Sequence, residues 1–124
     1  MAKKPRPNYT ADQFAAHEFL TELRTRIATQ PLPLRQGDEE AALSSLYDLF
    51  KLARKAIKEN PGCDAFAAKT IEVLNTTLRP VTAFWHRKKI EGALKQRDEA
   101  IAFRNALAEV RIRLHAFALS LIHI

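Results

Sequence analysis

Arg79 and His86 stand seven residues apart in the stretch Leu78-Arg79-Pro80-Val81-Thr82-Ala83-Phe84-Trp85-His86-Arg87. Seven residues make nearly two turns of helix, so both side chains reach the same groove. Such a pair sets a permanent cation beside an imidazole, a group that exchanges protons near neutral pH. The stretch also carries the only tryptophan of the chain, and Arg87, Lys88 and Lys89 follow it. Trp85 and these three cations are the candidate binding residues. Trp85 continues an apolar stripe, so the core competes with a ligand for its ring, and His86 beside three cations also suits a solvated edge.

Other chemistry is poorly furnished. His17 and Glu18 lack the His-Glu-x-x-His spacing and any second ligand pair, so no metal site is expected. Gly37, Gly62 and Gly92 stand far apart, which leaves no loop to cradle a phosphate. Cys63 is the single cysteine and reads as an inert thiol in a reducing compartment, although its place at a helix start would favour the thiolate. His115, between Arg113 and the chain end, reads as an edge residue.

Arginine, six intervening residues and histidine resemble the motif of the HEPN ribonucleases, small all-α bundles found among bacterial toxins and antiviral systems. The resemblance covers that motif and a four-helix outline. It implies metal-independent RNA cleavage, usually across a dimer, in which Arg79 stabilises the phosphate and His86 assists proton transfer from the 2′-hydroxyl. The chain departs from the family at Pro80, where a polar residue is common. The stretch from Leu78 to His86 also resembles helical modules of multidomain bacterial conflict or phage-defence proteins. That likeness implies a non-enzymatic interaction or adaptor domain at the N-terminus of a longer chain. Neither reading calls for a cofactor.

The elements that must position these residues are helices. Residues 1–9 hold two prolines and three basic residues without apolar periodicity, so a disordered basic arm is expected. Thr10-Ala11-Asp12-Gln13 reads as a capping box, followed by Ala16, Leu20, Leu23 and Ile27 at helical spacing, with Phe14 and Phe19 flanking. Pro31-Leu32-Pro33-Leu34 predicts an extended connection. A second helix is expected from about Glu39 to Glu59, with Leu43, Leu46, Phe50, Ala53 and Ile57 as its stripe and Asn60-Pro61-Gly62 as its stop. The third starts near Asp64 and carries Ala67, Ile71, Leu74, Leu78, Val81 and Trp85 through Pro80, where a kink or a restart must occur. The last opens at Asp98 with Phe103, Leu107, Val110, Leu114 and Phe117 at spacings of four and three. Four amphipathic helices with short connections predict an all-α, antiparallel four-helix bundle over residues 10–118, its third helix kinked or broken at Pro80.

With 124 residues, 47% of them hydrophobic and 27% charged, the chain suits one domain. It has no apolar run of membrane-spanning length and no secretory signal pattern near its start, so a cytoplasmic protein without a membrane partner is expected. Twenty basic residues against fourteen acidic ones give a formal charge of +6. That excess admits nonspecific nucleic-acid binding through the basic arm and the second helix, alongside a protein partner, a further domain or a homodimer. The final Leu119-Ser120-Leu121-Ile122-His123-Ile124 resembles the translation of a transposon-end sequencing adapter. The natural chain is therefore expected to diverge after about Ala118 and to continue toward another domain.

Overall fold

The structure, a computed structural model, describes residues 9–26 and 38–124, and the description excludes the side chain of Asp38. The basic residues of the N-terminal arm, Ile27, the Pro31 to Leu34 connection and Gly37 lie outside the described residues. The elements are α1 (Ala11–Thr25), α2 (Asp38–Glu59), α3 (Asp64–Val73), a π turn (Leu74–Leu78), α4 (Arg79–Ile90), a 3₁₀ turn (Ala93–Lys95) and α5 (Arg97–Ile122). The protein is all-α, with no strand among the described residues.

Local chemistry sets the helix ends. At the start of α1 the Gln13 N–H donates to Thr10 Oγ1 (3.1 Å) and the Thr10 N–H donates to Gln13 Oε1 (2.9 Å), the reciprocal box that the sequence spells. Helix α1 ends at Thr25, because Arg26 turns extended and its guanidinium leaves for α2. There it donates to Ser45 Oγ (3.1 Å) and Asp48 Oδ2 (2.6 Å) while keeping Glu22 Oε1 (3.1 Å). The buried Asn60 closes α2 by donating from Nδ2 to the Ala56 carbonyl (2.8 Å). Gly62 follows at φ +90°, a backbone region that strains any residue with a Cβ.

Helix α3 has no side-chain cap of its own, since Cys63 occupies the N-cap. Asp12 of α1 substitutes: its Oδ1 accepts from the Phe66 N–H at 2.9 Å across 54 residues of sequence. One carboxylate thus satisfies an orphan donor at the positive end of α3 and ties α1 to it.

The inward side chains of the third segment are Phe66, Thr70, Leu74, Leu78, Thr82 and Trp85. Ala67 and Ile71, expected inside, are displaced outward, and Ile71 is 49% exposed. Four consecutive steps of four residues overrun an α-helix by about 40° each, so Phe66 and Thr82 would face different ways in unbroken α geometry. The π turn over Leu74–Leu78 takes up part of that drift and delivers Pro80 to the first turn of α4, where its missing N–H costs least.

The core is one cluster. Phe19 of α1 meets Phe66 and Phe117 edge-on at centroid distances of 6.1 and 6.2 Å. Leu43, Leu46, Phe50 and Ala53 of α2 and Phe103, Leu107, Val110, Leu114 and Phe117 of α5 are buried, as their spacing predicts, and Leu49, outside the predicted stripe, is buried with them. Each large side chain contributes about 1.5–3 kcal/mol by leaving water. Glu39 and Arg104, both largely buried, form an ion pair joining the first turn of α2 to α5.

Candidate functional site

Arg79 and His86 both lie exposed on α4 along its seam with α2. The Arg79 guanidinium sits 5.0 Å from the centroid of the Phe50 ring, and its Nε donates to Asn75 Oδ1 at 3.1 Å. The His86 ring meets Tyr47 edge-on at 5.8 Å. Tyr47 in turn donates its hydroxyl to the Thr82 carbonyl at 3.0 Å. Phe50 and Tyr47 are neighbours on one face of α2, so the two candidates share a seam. Seven residues of helix nevertheless separate their backbones by about 10 Å, and different side chains receive them.

A shallow cleft of about 300 Å³ opens at the His86 end, lined by Leu43, Ser44, Tyr47, His86 and Lys89. It gathers a hydroxyl, a phenol, an imidazole and an ammonium, groups that recognise oxygen-rich anions. No carboxylate stands among its lining residues. Arg87 and Lys89 are exposed, while Lys88 is partly buried between Glu99 (3.4 Å) and the face of Phe84 (5.6 Å).

Trp85 is not a stacking platform in this arrangement. It is 5% exposed and packs edge-on against Phe103 at 5.3 Å and Phe84 at 5.0 Å. The apolar stripe that it continues takes it inward, and Phe84, at 55% exposure, is the ring left facing water. Tyr47 is the aromatic that sequence reasoning passed over. Its signal was available, because Tyr47, Lys51, Arg54 and Lys58 recur at helical spacing on one side of α2.

Cys63 is buried, and its Sγ donates to the Ile57 carbonyl at 3.7 Å. Burial, with Asp12 and Asp64 nearby, pushes the thiol pKa up, so the helix start does not make a thiolate. Among the described residues no cluster of three histidine, cysteine or acidic side chains could hold a metal ion, and no helix is long and apolar enough to cross a membrane.

Helix α5 has an apolar inner face and a mixed outer one. The inner one fills the core, while the outer one carries Ile101, Asn105, Ala108, Ile112, His115, Leu119 and Ile122 at alternating steps of four and three. Ile112 is 64% exposed and Leu119 62%.

No protein-family model, curated protein or solved structure matches this chain.

Proposed function

We propose that residues 10–118 form a non-enzymatic interaction module of a cytoplasmic bacterial protein, standing at the N-terminus of a longer chain, as in conflict or phage-defence systems. In this reading the module is an antiparallel four-helix bundle in which α3, the π turn and α4 act as one bent helix. Support comes from the order of contacts, since Tyr47 and Phe50 ascend α2 as His86 and Arg79 descend α4. The observation that carries the proposal is the outer face of α5. Ile101 and Ile112, about three turns apart on one line of the helix, are exposed apolar side chains that its own core does not use, as a docking face requires.

The experiment is to recover the reading frame across the codon for Leu119, express the natural continuation, and compare hydroxyl-radical footprints at Ile112 with those of residues 1–118. Protection of Ile112 only in the longer protein is expected. An Ile112 equally reactive in both, or a stop codon within a few residues of Ala118, removes the reading.

A second reading, a HEPN-like ribonuclease, is favoured by the joint exposure of Arg79 and His86 on one seam. It requires RNA cleavage in the presence of a metal chelator that disappears in His86→Ala with the helical signal intact. Intact RNA, or equal cleavage by the variant, ends it.

A further inference from the structure

Eight of the twenty basic residues fall in two acid-free stretches, residues 49–58 of α2 and residues 73–90 across the π turn and α4. The other twelve are outnumbered by the fourteen acids, so the formal excess of +6 arises from these two stretches, which lie on neighbouring helices. Lys55 is paired with Glu59 and Lys88 with Glu99. The remaining six, Lys51, Arg54, Lys58, Arg79, Arg87 and Lys89, are exposed and stand in no ion pair among the described residues. By contrast, Glu22 and Asp48 neutralise Arg26, and Glu39 neutralises Arg104. One face is thus left with a concentrated positive field, which draws in a polyanion.

The face also holds an immobilised ring. Tyr47 heads the ridge that continues through Lys51, Arg54 and Lys58, and it is 39% exposed. Its hydroxyl is anchored on the Thr82 carbonyl and its ring braced by His86, so stacking on it would cost little further ordering. A cationic track with an exposed aromatic at its head matches the requirements of a flexible strand of bases and phosphates better than those of an acidic peptide, which has no flat face to stack. Eleven residues of helix from Tyr47 to Lys58 span about 16 Å, and the six unpaired cations of the two stretches can together engage about four to five phosphates. We infer that the α2/α4 face binds the backbone of single-stranded nucleic acid without sequence preference, a base packing on Tyr47. This surface is separate from the outer face of α5; it shares Arg79 and His86 with the ribonuclease reading but needs no 2′-hydroxyl, so binding of DNA distinguishes it from RNA cleavage.

Fluorescence anisotropy with a labelled single-stranded oligothymidylate of about 15 nucleotides, within the usual range of such footprints, tests it. Being DNA, the probe gives no signal for 2′-hydroxyl chemistry. Neutralising four to five phosphates predicts a slope of log K against log salt near −3, so affinity should fall roughly sixty-fold between 50 and 200 mM salt. The Lys51→Gln/Arg54→Gln double variant should flatten that slope by about 1.4, and Tyr47→Ala should weaken binding about tenfold or more. The control, Lys95→Gln/Arg113→Gln, makes the same change in net charge at exposed sites on other elements and should bind as the parent does. Circular dichroism confirms that each variant folds. Absence of binding at 50 mM salt, or equal losses in the two double variants, overturns the proposal. Indifference to Tyr47→Ala, together with displacement by polyglutamate as efficient as by unlabelled DNA, overturns it in favour of an acidic polypeptide.

Discussion

The buried pair of Glu39 and Arg104 makes the sharpest test of how this fold is held. The side chains keep 4% and 12% of their exposure, and they lie 65 residues apart in sequence. Breaking so deeply buried a pair by removing one partner costs about 3–5 kcal/mol. Glu39→Gln preserves shape and a hydrogen-bonding group, so its effect isolates the charge. For a domain of this size about 1 kcal/mol moves the melting temperature by roughly 4 °C, so Glu39→Gln should lower it by about 12 °C or more. Arg104→Met should do the same. Replacing both, as Glu39→Met/Arg104→Leu, removes the desolvation of two ions and should recover most of the loss. Circular dichroism at 222 nm through thermal and urea melts reads all three. Salt supplies a further discriminant, because a buried pair is screened far less than a surface one and the single-variant loss should persist in 0.5 M sodium chloride. Single variants costing under about 1 kcal/mol would mean that the pair behaves as a solvated surface contact. A double variant as unstable as the sum of the singles would assign the energy to packing rather than charge.

Other outcomes follow from individual contacts. Asp12→Ala should destabilise by about 1–2 kcal/mol in urea melts, as loss of an N-cap does, because α3 has no cap of its own; an effect within a few tenths would show that water replaces the carboxylate. Cys63, buried with a raised pKa, should react with a thiol reagent at a rate set by unfolding, and fast stoichiometric labelling of the native protein would contradict its placement. A folded-state pKa above the unfolded one gives stability that is complete below the thiol's ordinary value near 9 and is lost as pH rises through the folded value, so stability should fall more steeply above pH 9 in the parent than in Cys63→Ala. Gly62→Ala, at φ +90°, should cost about 1–2 kcal/mol although the residue is exposed, and a neutral result would place the turn in another conformation.

Whatever depends on residues close in sequence was legible. The capping box at Thr10 and the stripe of α5 from Phe103 to Phe117 are read within one helix and recur unchanged. The inner face of the third segment was not, because a period of 3.6 was applied where the chain keeps steps of four from Phe66 to Thr82 and widens one turn to do so. Ile71 went outward for that reason. The cap on Phe66 was equally hidden, since Asp12 reads as a first-turn acid of α1 until the fold brings α3 to it. At the candidate site, adjacency on one seam followed from the spacing of Arg79 and His86, but the identity of their neighbours did not. Phe50 and Tyr47 come from another helix, and only the packing of α2 on α4 selects them.

Helix α2 explains why the positive field lies where it does. Toward α1 it presents Ser45 and Asp48 to Arg26, toward α5 it presents Glu39 to Arg104, and toward the core it turns its leucines. These acids lie in its first half, Glu39 in the first turn where negative charge is favoured, and each answers a cation from a neighbour. The second half has no neighbour that calls for an acid, and lysine near the C-terminal end suits the helix dipole. Helix α4 repeats the arrangement, with Arg87, Lys88 and Lys89 in its last turn. Dipole preference alone accounts for Lys58, Arg87, Lys88 and Lys89. It does not reach Lys51, Arg54 or Arg79, which stand away from the C-terminal turns of their helices; Phe50 and Asn75 hold Arg79, whereas Lys51 and Arg54 stand in neither a dipole-favoured turn nor an ion pair among the described residues.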